Sequence, residues 1–403
     1  MHETWRKDSK ALRKRVNFAT TNHSQMRFRP ILILAVTCLA ALPAAASGPI
    51  SWAGKVVSRL TAPKERLDST AIYQPRPRWN ATIKTSLRQT GVSQVHAFDI
   101  PAALVANDHL TEKWPAEMTL ALKEHLYSGV GLAGGYGGLT VGFSREVGRK
   151  SADYNRANAF SYQGPGFEAR FQYYDIRQPM TYAITAGDGD WEASGVTEHN
   201  GRMRVVVADA IYAFNRKTFA YCAVYKGNML QRRSAGSLLM GAKYLQGELA
   251  IDPSEVLGGW LYDVTRYTTV QGSVGVGYSY NIVLLHHAGT GADDRGLRNL
   301  TFNLTALPML TLYDHHTAEQ RSVSGEDKTR PLHQMNSRMR FNYVTQGGVC
   351  YAWDRYRLAL TADYDGFRFQ GSSEFRQNVG TTEIETTGRF FKWSAVLQFN
   401  VKF

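Results

Sequence analysis

The last fifteen residues, Arg389 to Phe403, read RFFKWSAVLQFNVKF and constrain the fold more than any other stretch. From 391 onward the odd positions are Phe391, Trp393, Ala395, Leu397, Phe399, Val401 and Phe403, all apolar. The even positions are Lys392, Ser394, Val396, Gln398, Asn400 and Lys402, polar with one exception. Successive side chains of a strand point to opposite faces, so this segment makes a strand with one apolar and one polar face. It is longer than the roughly five or six residues of an ordinary strand. Its length suits a tilted membrane-crossing strand, which needs about 9–11 residues in hydrocarbon. A surface strand of a secreted soluble β-sandwich is the competing expectation.

The pattern recurs. Val270, Gly272, Val274, Val276, Tyr278, Tyr280 and Ile282 alternate with Gln271, Ser273, Gly275, Gly277, Ser279 and Asn281. Leu300 to Leu312 forms a second row, in which Pro308 predicts a bulge or weak pairing because it lacks a ladder donor. Met339 to Tyr351 and Tyr356 to Tyr364 form two more, with Arg338, Arg340, Arg355, Arg357, Asp363 and Asp365 on their polar sides. Phe167 to Tyr173 is a fifth, and weaker alternation marks segments within 79–89, 118–146, 158–163, 202–214, 218–228 and 235–248. Long recurrent strands with a charged inner face and aromatic-ended outer face match an outer-membrane barrel, whose closure leaves no strand edge in lipid. A terminal strand ending on Phe, here with Trp393, Phe399 and Phe403, resembles the C-terminal targeting strand of bacterial outer-membrane barrels.

Connector lengths do not close cleanly on this plan. Counting back from the C-terminus puts 370–388 and 314–335 outside and the Trp353-Asp354 turn inside. Further back, Asn215–Lys217 falls outside and the long 187–201 connector inside, the reverse of the usual pattern. One strand assigned in 215–268 is therefore misplaced.

The start of the chain reads as a targeting segment. Met26-Arg27-Phe28-Arg29 is basic, Pro30 to Leu42 is apolar, and Pro43 to Ser47 is small, which predicts a signal peptide cleaved near Ala46. Residues 1–25 read as an extension before a start at Met26. Residues 47–78 read as a short periplasmic lead-in, with a helix over Ser51–Leu60. Residues 1–46 carry eight Lys/Arg and two Asp/Glu, so the charge falls from +13 to +7 without them. Export makes nucleic acid an improbable partner for that charge, and points to outer-membrane lipid and lipopolysaccharide, with the barrel-assembly machinery engaged during insertion.

Chemistry-bearing motifs are sparse. His286-His287 and Asp314-His315-His316 are placed at strand ends or loops, and adjacent strand residues diverge, so neither pair chelates a metal alone. Gly187 to Glu192, with Asp188, Asp190 and Glu192, loosely resembles a calcium loop but lacks the twelve-position pattern. The glycines at 131, 134, 135, 137 and 138 precede no Lys-Ser/Thr and are not a phosphate loop. Cys222 and Cys350 have no metal or redox spacing and read as unpaired. No nucleophile elbow accompanies Ser279, Ser394 or His125, so a lipid hydrolase or acyltransferase is the minor alternative. No cofactor, metal or catalytic residue is assigned. The six charges Arg338, Arg340, Arg355, Arg357, Asp363 and Asp365 are the candidate lumen site, either lining a narrow porin-like anion pore or plugging a closed barrel.

Several segments also resemble a known family. They are Leu67–Tyr73, Phe214–Phe219, Gln231–Ser237, Gln271–Tyr278 and the ending at Phe403. In order and spacing these resemble a group of Bacteroidetes-type outer-membrane proteins, the domain of unknown function 4421. The resemblance implies a β-barrel and an outer-membrane location, and carries no catalytic residues. The expectation is an all-β protein: an antiparallel transmembrane β-barrel of about 12 strands over residues 79–403. Its expected role is non-enzymatic, as a narrow pore or a structural envelope component.

Overall fold

The computed structural model describes residues 67–74, 79–100, 114–136, 139–147, 154–164, 166–187, 189, 191–225, 229–252, 264–289, 295–321, 327–332, 340–377 and 380–402. The strands are β1 (Ile72–Tyr73), β2 (Trp79–Ile100), β3 (Trp114–Lys123), β4 (Tyr127–Tyr136), β5 (Leu139–Glu146), β6 (Tyr154–Gln163), β7 (Phe167–Ala186) and β8 (Trp191–Ala213). After them come β9 (Leu230–Gln231), β10 (Ala235–Ala250), β11 (Val264–His287), β12 (Arg298–Arg321), β13 (Asp327–Leu332), β14 (Phe341–Trp353), β15 (Tyr356–Gln377) and β16 (Gly380–Lys402). The signal segment, the Ser51–Leu60 helix, Arg338, Phe403, Asp188 and Asp190 lie outside the described residues.

Twelve strands close a ring in the order β2, β4, β5, β6, β7, β8, β10, β11, β12, β14, β15, β16, all antiparallel. The closing seam joins the first and last long strands, from Asn80↔Lys402 to Phe98↔Ile384. Both strands begin or end at the same rim, called here the terminal rim; the opposite one is the distal rim. The fold is the antiparallel transmembrane β-barrel of about 12 strands expected from the alternation.

The outer wall carries an apolar belt. On β11 it runs through Val274, Val276, Tyr278, Tyr280, Ile282 and Leu284, all exposed, and it continues through Leu304 and Leu312 on β12 and Ile83 and Leu87 on β2. Ten residues of strand at about 3.4 Å each, tilted about 40°, give a height of about 26 Å, matching an outer-membrane apolar band of about 25 Å. Aromatic rings collect at its edges. Trp353 packs on Tyr356 and Phe399 near the terminal rim, and Tyr343 stacks on Tyr364 towards the distal one.

Beyond the belt the sidedness inverts. On β2 the inward residues Asn80, Thr82, Lys84, Ser86, Arg88 and Thr90 are polar, whereas beyond them Val92, Phe98 and Ile100 are apolar and only Gln94 and His96 are polar. On β16 inward Lys402, Asn400, Ser394 and Lys392 give way to Phe390 and Ile384. The distal half is packed by Val92, Met118, Leu120, Leu122, Ile176, Met203, Val205, Tyr267, Phe367, Phe369 and Phe390. Outside it, Asp175–Arg202 and the run Arg204–Glu248–Arg266–Glu319 make ion pairs across β7, β8, β10, β11 and β12. Water, not lipid, suits that outer face, so the apolar side chains turn inwards.

The ring also forks. β2 pairs β4 over Trp79–Arg88 and then β3 over Gly91–Ile100, with Glu124–Leu126 between the two partners. β7 pairs β6 up to Arg177 and then β3 from Thr181. The β5–β6 hairpin is thus a wedge in the terminal half. At its apex Arg88 donates to Glu124 at 2.7 Å and lies over the Tyr127 ring at 4.2 Å. All three are buried.

Two expectations need correction, and the weak pairing expected at Pro308 is present. Residues 218–225 are not a strand, and 226–228 lie outside the described residues: β8 and β10 are joined at the terminal rim by a connection that contains a 3-10 turn at Tyr221–Ala223 and the short β9. This restores the connector order, since β7 ends at Ala186, β8 begins at Trp191, and all of 191–201 belongs to β8. Pro308 keeps its register with Tyr343. It breaks only the β11 ladder, between Gly275↔Met309 and Tyr278↔Ala306, without a shift. Gly275 and Gly277 allow that close approach, because a Cβ on either would meet a β12 carbonyl oxygen at 2.2 Å.

Ring closure is testable at the β2–β16 seam. Leu87 and Ala395 are register partners. Leu87→Cys with Ala395→Cys, oxidised, should give a boiled, non-reduced band displaced from both single variants. Migration identical to the singles would mean the ring is open there.

Candidate functional site

The lumen is built in three levels, beginning at the terminal rim. The 214–234 connection turns into the barrel, and Phe219, Ala220, Tyr221, Cys222, Ala223 and Val224 are all buried. Asn215 shapes the turn by donating to Gly236 O (2.9 Å) and accepting from Thr218 Oγ1 (2.7 Å). Gln231, fully buried, accepts from Ala220 N (2.9 Å) and donates to Thr218 O (2.6 Å) and Ala71 O (3.2 Å). β9 pairs β1, and Arg232 donates to Ser69 O at 2.7 Å. Asp68 caps its own turn, and the Thr70 hydroxyl and amide hold its carboxyl below the usual carboxylate range.

The barrel wall grips this insert by its backbone. Asn281 donates to Ala220 O (2.9 Å), Asn299 to Gln231 O (2.8 Å), Gln398 to Tyr225 O (2.5 Å), and Arg357 to Ala223 O. The wall thus provides hydrogen bonds that an irregular buried segment would otherwise lack. Segments 67–73, 214–219 and 231–237, which carry the family resemblance, converge on this mouth.

The middle level is a charge network spanning the lumen. Arg170 and Lys243 flank Asp209 on adjacent strands. Arg170 donates to Asp209 at 2.8 Å. Lys243 reaches Asp365 at 2.8 Å, joining β10 to β15, which are not neighbours in the ring. Lys392 sits 3.1 Å from Asp363 and 3.3 Å from Asp365, and donates across the lumen to Gln172 at 3.0 Å. Gln346, with its amide oxygen facing Arg170 (2.7 Å), donates to Tyr221 Oη (2.7 Å) and links this network to the insert. The network sits beneath the apolar distal packing.

The third level lies on the distal side. Asp314 and His316 point inwards from within β12, not from a strand end or loop as expected. His316 Nε2 is 2.6 Å from Asp314 and Nδ1 is 3.0 Å from Thr269 Oγ1. This hydroxyl–imidazole–carboxylate order resembles a hydrolytic row. His316 is, however, 1% exposed and its ring packs on Phe369, so no substrate reaches the hydroxyl without displacing the core. Arg340 pairs with the same Asp314 and donates to Gln370 O at 2.9 Å.

The candidate charges therefore do not form one site. Arg340 belongs to the distal level and Arg357 to the insert. Asp363 and Asp365 belong to the middle. Arg355 is no lumen residue: it lies exposed in the tight turn at the terminal rim, beyond the last inward position. Sequence reasoning missed Arg170, Asp209, Lys243 and Lys392. Each is an isolated charge at an inward position, but period 2 does not pair strands that meet only across the lumen. Trp393 faces outwards and donates to Gln89 (3.3 Å), and Phe399 joins the terminal aromatic cluster. Cys222 and Cys350 are buried and not disulfide-bonded; Cys350 Sγ accepts from Arg357 Nε.

Breaking a buried pair on one side leaves an uncompensated charge, at about 3–5 kcal/mol. Lys392→Met should lower barrel stability by about that much, whereas Arg266→Gln on the outer wall should cost less than about 1 kcal/mol. The comparison is the denaturant midpoint of the folded band on unboiled gels. Equal midpoints would show that the network is not part of the stability.

Comparison with known proteins follows this geometry. No curated protein shows significant sequence similarity to the chain. Among solved structures it is similar to the outer membrane protease OmpT from Escherichia coli, at 6% identity over 80% of this chain and 97% of that one, with a TM-score of 0.37. It is also similar to the beta domain of the Bordetella autotransporter BrkA, at 10% identity, covering 75% and 98%, with a TM-score of 0.27. A third is the P. putida toluene transporter TodX, at 7% identity, covering 82% and 91%, with a TM-score of 0.21. Scores and identities this low carry no information on activity. The sequence profile described as Domain of unknown function (DUF4421) matches residues 119–390, more than half of the chain, and the protein belongs to that family.

Proposed function

We propose that this protein is a non-enzymatic, non-conducting outer-membrane barrel, a structural component of the envelope and not a pore. The observation that carries this reading is the cross-lumen bonding. Lys243–Asp365 and Lys392–Gln172 tie opposite walls, the 214–234 insert occupies the terminal mouth, and apolar side chains pack the distal half. A water-filled channel needs a continuous polar path, and among the described residues the lumen is filled at each level. In this reading the terminal rim faces the periplasm, as the tight connections at 163–167 and 353–356 support, and a signal peptide ending near Ala46 directs export. The barrel-assembly machinery reads the last strand, with Trp393 and Phe399 on its outer face. Outer-membrane lipid, lipopolysaccharide included, covers the apolar belt.

The test is electrical. The purified full chain in planar bilayers should give no discrete conductance steps. Arg357→Ala with Tyr221→Ala, which removes two ties of the insert, should increase cleavage within 214–234 by added protease. Stable single-channel steps from the unaltered protein would sink the closed-barrel reading.

A further inference from the structure

We propose that the outer wall carries a binding site for one phosphate-bearing acyl lipid, where Arg368 and Arg389 receive the phosphate and Phe341, Phe391 and Trp393 the acyl chains. The inference rests on the membrane placement proposed above and concerns the outside of the barrel, not its lumen.

The site is a rung pattern on β14, β15, β16 and β2. Arg368 and Arg389 are direct cross-strand partners, both pointing outwards and both exposed. Like charges directly opposite one another destabilise a sheet. Among the described residues neither guanidinium has a carboxylate partner, unlike Arg202, Arg204 and Arg266 on the opposite wall. Arg389 is instead aimed by a phenol: it donates to Tyr364 Oη at 2.6 Å, and Tyr364 stacks on Tyr343 at 5.4 Å.

The rung below explains the depression. It reads Tyr343, Gly366, Phe391, Gly91 in register. The two glycines leave room for rings to lie flat: a Cβ on Gly91 would meet the Phe391 ring at 2.7 Å, and one on Gly366 the Tyr343 ring at 3.0 Å. On the far flank β14 ends at Phe341 while β15 continues. The pairing itself stops at Tyr343↔Gly366, and side chains take over: Arg368 N donates to Asn342 Oδ1 (3.1 Å), and Gln271 donates to Arg368 O (2.8 Å).

The result is a groove of about 900 Å³ lined by both arginines, Tyr364, Phe341, Phe391 and Trp393, and also by Arg340, whose charge is taken by Asp314. Its cationic end lies one rung beyond the aromatic edge of the belt, and its other end runs into the belt itself. Two guanidiniums in register suit the oxygens of one phosphate, which accept charge-assisted hydrogen bonds. The apolar floor serves acyl chains and offers nothing to a free anion, so the occupant is a lipid of the distal leaflet.

The experiment uses the purified full chain in non-ionic detergent, with native mass spectrometry as readout. Dioleoyl phosphatidic acid is the probe, and dioleoylglycerol and inorganic phosphate are the controls. One phosphatidic acid should be retained per barrel, with no retained dioleoylglycerol and no displacement by millimolar inorganic phosphate. Arg368→Gln with Arg389→Gln should weaken retention at least about tenfold, a change of about 1.4 kcal/mol, while Arg202→Gln leaves it unchanged. Equal retention by the double variant, an equal loss in Arg202→Gln, or displacement by inorganic phosphate would each overturn the site. All three side chains of these variants lie on the outer face, so an intact unboiled band certifies the fold. An intact barrel that binds no lipid fails the groove alone, whereas a chain that does not enter bilayers at all fails the membrane placement.

Discussion

A peptide group left unpaired in hydrocarbon costs several kcal/mol, so a sheet in a bilayer has to close on itself. In this protein the obligation falls on the seam between β2 and β16, which stay in register from Asn80↔Lys402 to Phe98↔Ile384. Everything else is arranged inside that closed wall. The chain cannot relieve a poor contact by opening an edge, so irregularities are handled by local devices. Gly275 and Gly277 bring β12 close where Pro308 lacks a donor, and Asn342 and Gln271 hydrogen-bond β15 where its pairing with β14 has ended.

The wall meets two solvents, and the side chains follow. Where the outside is apolar the inside is polar, and buried charges must find partners among themselves. Lys392 and Lys243 do so with Asp363 and Asp365, and Arg170 with Asp209. Where the outside is wet, the inside becomes mainly apolar around Leu120, Met203 and Phe369, with the Asp314, His316 and Arg340 cluster lying beside it. The switch occurs near Arg88, Thr90 and Val92 on β2 and near Lys392 and Phe390 on β16, which are close in register. It coincides with the fork where β3 replaces the β5–β6 wedge.

The insert at the terminal rim follows from the same constraint. A barrel of this size encloses more space than its own wall residues fill. Residues 218–225 take up that space, and their peptide groups are bonded by Asn281, Gln398 and Arg357. A polar inner wall is therefore compatible with a closed lumen. Charge on that wall alone does not imply passage of an ion.

Alternation at period 2 determined a great deal from the sequence by itself. It gave the strand class, the closed barrel, the outward face of Tyr278, Leu304, Tyr343 and Phe399, and the inward face of Arg340, Arg357 and Asp365. Each of these is local, because neighbouring side chains on a strand have no choice but opposite faces. The tertiary structure alone decided what those inward groups meet. Lys243 and Asp365 are 122 residues apart on strands that do not pair, and their contact depends on strand number, register and lumen width together. The same holds for 218–225, the described part of the segment expected as a strand. Its Tyr and Val content reads as strand, but buried space at the mouth and backbone partners on the wall fold it into a plug.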